Sequence, residues 1–143
     1  MKINTKARAG FTLTEVIVVL AILSILSAIV IPSLYKYIEK VKEEKYIWEA
    51  QGVFRSIEMY TIEKYQGNEI NPVELFEQLS TYATASKKNP LNEYLTVVCT
   101  KNAWIIGMNI RRSTGLLMQL EYQVDGYLVT ITRDSDPTIE KLS

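Results

Sequence analysis

From Val16 to Tyr35 the chain carries no charge, and beyond Tyr35 it becomes densely charged without losing a helical period. The uncharged run is 20 residues long, the length a helix needs to cross a bilayer, about 20 residues. No proline occurs between Pro32 and Pro72, and Gly67-Asn68 is a good helix stop. One helix from Thr12 to Gln66 is therefore predicted. Its apolar stripe changes side. At the helical period Leu34, Ile38, Val41 and Trp48 share one stripe, whereas Ile47, Ala50, Phe54 and Ile57 lie nearly opposite. Two stripes predict two partners: neighbouring helices for the first, the chain's own sheet for the second. The alternative is a single domain with a wide apolar face. The intervening mixture of Glu39, Glu43, Glu44 with Lys40, Lys42, Lys45 reads as a solvated face.

Asn71-Pro72-Val73-Glu74 has the form of an N-cap, a first-turn proline and a capping-box acid. Val73, Phe76, Leu79 and Tyr82 then give a short amphipathic helix, and Ser86–Pro90 reads as a turn. Beyond it the period shifts towards strands. Tyr94–Thr100, Ala103–Ile110, Gly115–Val124 and Tyr127–Arg133 are rich in β-branched and aromatic residues. Asp125-Gly126 is a strong two-residue hairpin sequence, and Lys101-Asn102 a second candidate turn. Leu116-Leu117-Met118 breaks the alternation, which predicts a bulge or burial on both faces. The fold class expected is α+β: one long N-terminal helix packed against a small antiparallel sheet of about four strands, ending in a polar tail. Asp134, Asp136 and Glu140 lie in that tail, where two loop acids before a proline fall short of a calcium loop.

Charge and chemistry narrow the function. The chain has 143 residues, 16 basic and 16 acidic, with no His and the single cysteine Cys99. The absent histidine removes the commonest general base and metal ligand. One cysteine forbids an intrachain disulfide. No catalytic residue, cofactor or metal is expected, and the balance does not suggest a general nucleic-acid binder. The basic doublets Lys87-Lys88 and Arg111-Arg112 read as solvated turns. Met1 to Gly10 carries only the basic charges Lys2, Lys6 and Arg8, which places the N-terminus in the cytoplasm. Thirteen Val, Ile or Leu residues lie between Val16 and Leu34. At the transfer values for such side chains they favour insertion by about 4 to 8 kcal/mol. Glu15, at the edge of this run, is an acid with no evident partner, and an acid so placed is a functional candidate by default. An ordinary secretory signal fits less well, because the apolar run exceeds its usual core of about 7–15 residues. An uncut anchor and a headgroup contact for Glu15 are the other plain readings.

The stretch Lys6-Ala7-Arg8-Ala9-Gly10-Phe11-Thr12-Leu13-Thr14-Glu15 and the run after it resemble the class III signal of type IV prepilins and type II secretion pseudopilins. The resemblance implies a pilin-like fold in three parts: residues 1–10 a cleaved leader, 11–35 the transmembrane and filament-core half of the helix, and 36–143 the soluble head. It implies processing at Gly10 and Phe11, with cleavage between them and methylation of the new Phe11 amine. Removing the leader would leave 13 basic and 16 acidic side chains, a net of −3. It implies subunit assembly through Phe11 and Glu15, the acid of one copy meeting the terminal amine of the next. Pro32 occupies the family's helix-bending position, and Ser24 stands where many members have glycine. The partners implied are a prepilin peptidase, an assembly platform with its ATPase, the membrane before assembly, and further copies in a helical filament, with no nucleic acid unless the chain serves competence. The precursor would be a single-pass inner-membrane protein, and the assembled form a surface filament. Other expectations on the same N-terminus are a minor pseudopilin, a competence or secretion-system pilin, or a tip-located anchored adhesin using the loops Thr84–Asn92 and Arg111–Gly115.

Overall fold

A computed structural model describes residues 10–66, 68 and 70–142. Residues 1–9 of the expected leader, with Gly67, Glu69 and Ser143, lie outside the described residues. The chain divides into two compact units, Met1–Lys40 and Val41–Ser143. Helix α1 runs Leu13–Tyr65, as the period predicts, and contains Pro32 without a break. Gln66, at φ 40°, takes the left-handed position just past the helix, the place the sequence assigned to Gly67. The amide of Asn68 then closes the end on the Tyr65 carbonyl at 2.7 Å.

In the second unit, α1 buries Tyr46, Glu49, Ala50, Val53, Phe54, Ile57 and Tyr60 along one stripe, because steps of three and four residues return to the same face. That stripe covers a four-stranded antiparallel meander in the order β1-β2-β3-β4: β1 Ala103–Arg111, β2 Leu116–Val124, β3 Tyr127–Thr132 and β4 Thr138–Lys141. The inner face contributes Ile105, Leu117, Leu120, Tyr122, Val124 and Val129, all essentially inaccessible. The earlier stripe stays exposed, with Trp48 at 75%.

Two bulges reset the alternation. Ile106 has no partner between the Ile105–Tyr122 and Gly107–Glu121 pairs, and Met118 has none between Asn109–Gln119 and Ile110–Leu117. Each extra residue shifts the side-chain parity by one, so Ile105 and Ile110 both face the core. Asp125 and Gly126, at φ 44° and 81°, form the expected hairpin turn between the paired Val124 and Tyr127.

Three expectations are corrected. Tyr94–Thr100 is not a strand. It follows a short 3-10 turn, Pro90–Glu93, and the Thr100 amide bonds to a side chain of α1. The fourth strand is instead Thr138–Lys141, inside the presumed polar tail, where pairing with β3 satisfies the backbone of an edge strand whatever its polarity. Helix α2, Pro72–Ser80, has the predicted cap, Asn71 accepting from the Val73 amide, but buries Leu75 and Leu79 while Val73 is 61% exposed and Tyr82 lies beyond the helix. The four-residue step from Leu75 to Leu79 defines its inner face. Glu74 takes a contact from Gln78 at 3.4 Å.

Candidate processing and assembly segment

Gly10 and Phe11 precede the helix and are exposed, Phe11 at 84%. A Cβ placed on Gly10 would meet nothing within 4 Å. The fold itself therefore has no need of glycine there.

Thr12 stands immediately before helix α1 and caps it. Its carbonyl accepts the first helical bond, from the Val16 amide at 3.3 Å. Its amide donates to Glu15 Oε2 at 2.7 Å, and its hydroxyl donates to the same oxygen at 3.0 Å. The Glu15 amide returns a bond to the Thr12 hydroxyl at 3.3 Å. This is a reciprocal capping box, which satisfies donors that a helix start leaves open. Glu15 was expected to lack a partner within its own chain. It has one, and the signature was present in the sequence as threonine followed three residues later by glutamate.

After Glu15, every large apolar side chain from Val16 to Leu34 is exposed. Among the described residues, α1 is a helix long and apolar enough to cross a membrane. Ser24 bonds back to the Leu20 carbonyl at 2.8 Å, the one-turn contact expected of a serine in an apolar helix.

Residues 5–31 match the family model described as the prokaryotic N-terminal methylation motif. The chain carries the class III signal of type IV pilins. Neither the curated proteins nor the solved structures yield a match. The motif covers the start of the chain, and the long helix with its four-stranded antiparallel sheet is a pilin-like arrangement. Proteins bearing this motif are of a structural, non-enzymatic kind, and the motif with its apolar helix fits a membrane-anchored precursor that is processed by a prepilin peptidase.

The second unit also buries polar residues that no linear motif marks. Glu49 is 4% exposed. Its Oε1 accepts from the Thr100 amide at 2.8 Å and the Tyr122 hydroxyl at 2.7 Å, and its Oε2 from the Thr100 hydroxyl at 2.8 Å. Charge-assisted bonds of this kind are what make a buried carboxylate tolerable. Burial, and next the bond to Glu49, push the Tyr122 phenol far above its ordinary range. Burial likewise pushes the half-buried Cys99 thiol up to about 11, which leaves it unreactive at neutral pH. A lone acid falling on the stripe of Tyr46, Ala50, Val53 and Ile57 was the available clue to Glu49.

The two loops considered for ligand binding differ. In Thr84–Asn92, Thr84 and Asn89 are buried, and Asn89 Nδ2 donates to the carbonyls of Leu79 and Tyr82 at 2.9 Å each, so that loop is knitted into the core. The Arg111–Gly115 loop lines a cleft of about 280 Å³ with Thr61, Tyr65 and Ile70. Among the described residues no group of three or more His, Cys, Asp or Glu side chains is placed to hold a metal.

Proposed function

We propose that this chain is the structural subunit of a type IV pilus or pilus-like filament. A prepilin peptidase cuts between Gly10 and Phe11 and methylates the Phe11 amine. Residues 11–35 hold the subunit in the membrane and later form the filament core, while residues 36–143 form the head. During assembly the apolar helices exchange lipid for one another. Lipid and helix interiors are similarly apolar, so packing and polar pairing, rather than hydrophobic burial, must set the geometry. The pairing is Glu15 of one subunit with the Phe11 amine of the next, a register mark because a slipped subunit leaves both charges unpaired. Pro32 removes one helical hydrogen bond and so supplies a point of bending in the core.

The observation that carries this reading is the methylation motif at residues 5–31, which overlaps the start of helix α1, where every large apolar side chain from Val16 to Leu34 is exposed. The test is to shear surface filaments and weigh their subunit. A mass beginning at methylated Phe11 is expected. Glu15→Val is expected to abolish filaments while the protein stays in the membrane. Intact leader in the filaments, or normal filaments from Glu15→Val, would overturn the reading.

A further inference from the structure

The cleft between the end of α1 and the loop before β2 has fixed walls. The Thr114 and Gly115 amides donate to the Arg111 carbonyl at 3.2 and 2.8 Å, and the Asn68 amide donates to that of Tyr65 at 2.7 Å. Gly115 sits at φ 68°, and a Cβ there would lie 2.6 Å from Ile70 Cδ1. Glycine makes this turn without strain and without displacing Ile70 from the wall.

The lining is polar but carries no unengaged charge. Among the described residues no lysine or arginine lines it, and Arg112 lines a separate hollow with Asn71 and Pro72. The one acid, Glu58, is held by Arg133. The side chains of Gln66, Asn68, Ser113 and Thr114 also line the cleft and make no hydrogen bond among the described residues. They are amides and hydroxyls, which both donate and accept. Tyr65 and Leu116 add an aromatic ring and an aliphatic side chain.

We propose that this cleft binds an uncharged pyranose sugar. Such a ring has C–H faces that pack on Tyr65 and Leu116. Its rim of hydroxyls donates and accepts, and so pairs with the unengaged amides and hydroxyls of the lining. An anion would meet no cation there, and a cation would meet only a carboxylate already taken by Arg133. The space is about 280 Å³, at the lower end of small-ligand sites, which begin near about 300 Å³. A single ring fills it. Every lining residue belongs to the second unit, so binding does not depend on polymerisation.

The test uses the full chain, ¹⁵N-labelled, in dodecylphosphocholine micelles, whose headgroups carry no sugar. Methyl β-glucoside, methyl β-galactoside and N-acetylglucosamine are titrated separately into the millimolar range. With at least one of them, saturable amide shifts are expected at Tyr65, Asn68, Ser113 and Thr114. Asn68→Ala and Thr114→Ala are each expected to weaken that binding about fivefold, the factor that one net hydrogen bond carries. Lys87→Ala, in the other loop, is expected to leave it unchanged. No saturable shift with any of these sugars, or parent-like affinity in both cleft variants, would overturn the proposal. So would tighter binding at the same residues by sodium phosphate or by an acetylated, amidated alanine peptide, which would mark an anion or a protein site instead. The filament reading would stand in each case, since it is tested on the processed N-terminus.

Discussion

The hydroxyl of Tyr122 on β2 donates a 2.7 Å hydrogen bond to the buried carboxylate of Glu49 on α1, across 73 residues of sequence. Thr100 supplies the other two bonds, so a single side chain ties the helix, the connecting segment and the sheet together. A buried acceptor stripped of a donor retains its desolvation cost without the compensation, about 1–3 kcal/mol. Tyr122→Phe is therefore expected to destabilise the head by about that amount. Glu49→Ala is expected to cost more, because it also opens a cavity beneath Tyr122 and Thr100. Guanidinium unfolding of the full chain in detergent, followed by tyrosine and tryptophan fluorescence, measures both. A Tyr122→Phe midpoint equal to that of the parent would show that the bond contributes nothing.

The raised ionisations of Tyr122 and Cys99 have a consequence at alkaline pH. Both groups stay protonated in the folded chain after the unfolded chain has begun to ionise. The unfolded state then binds fewer protons, and stability falls as pH rises. For Cys99 the loss begins near its ordinary value of 9.0 and is complete at about 11. For Tyr122 it begins near 10.0 and continues beyond. Unfolding midpoints measured from pH 7 to 11 are expected to fall above pH 9. Tyr122→Phe should flatten the decline above pH 10, and Cys99→Ala the part between 9 and 11. A parent chain as stable at pH 11 as at pH 8 would contradict both assignments.

Gly52 is where the segment before β1 meets the helix. A Cβ there would lie 2.3 Å from Val97 Cγ1 and 2.5 Å from Cγ2. Alanine ordinarily favours a helix over glycine by about 1 kcal/mol, but this overlap forces Val97 aside, and overpacking costs about 1–3 kcal/mol. Gly52→Ala is expected to destabilise the head despite its better propensity. Adding Val97→Ala should recover the loss, since the smaller side chain clears the site and the propensity gain remains. Thermal unfolding of the two single variants and the double variant checks this. Independent, additive effects would mean that the two residues do not collide.

Local rules carried much of this molecule. The length of α1 follows from an unbroken helical period, its membrane-compatible half from a 20-residue uncharged run, the hairpin from Asp125-Gly126, and the cap of α2 from Asn71-Pro72. The methylation motif is likewise a linear pattern, because a peptidase reads consecutive residues. Tyr94–Thr100 escaped such reading. β-Branched residues there suit a strand, but a strand needs a neighbour, and the Thr100 amide finds Glu49 instead. The tail was misread for the converse reason: an edge strand depends on backbone pairing with β3, which its polar side chains do not reveal.

Periodicity and capping act between residues a turn or two apart, so the chain's order alone determined the helix, its signal segment and the tight Asp125-Gly126 hairpin. Which segment became the fourth strand, where Ile106 and Met118 bulge, and how Glu49 acquired its three donors were decided only when distant parts met. Those outcomes depend on which backbone donors are left to satisfy and which volumes are left to fill, and both exist only in the folded arrangement.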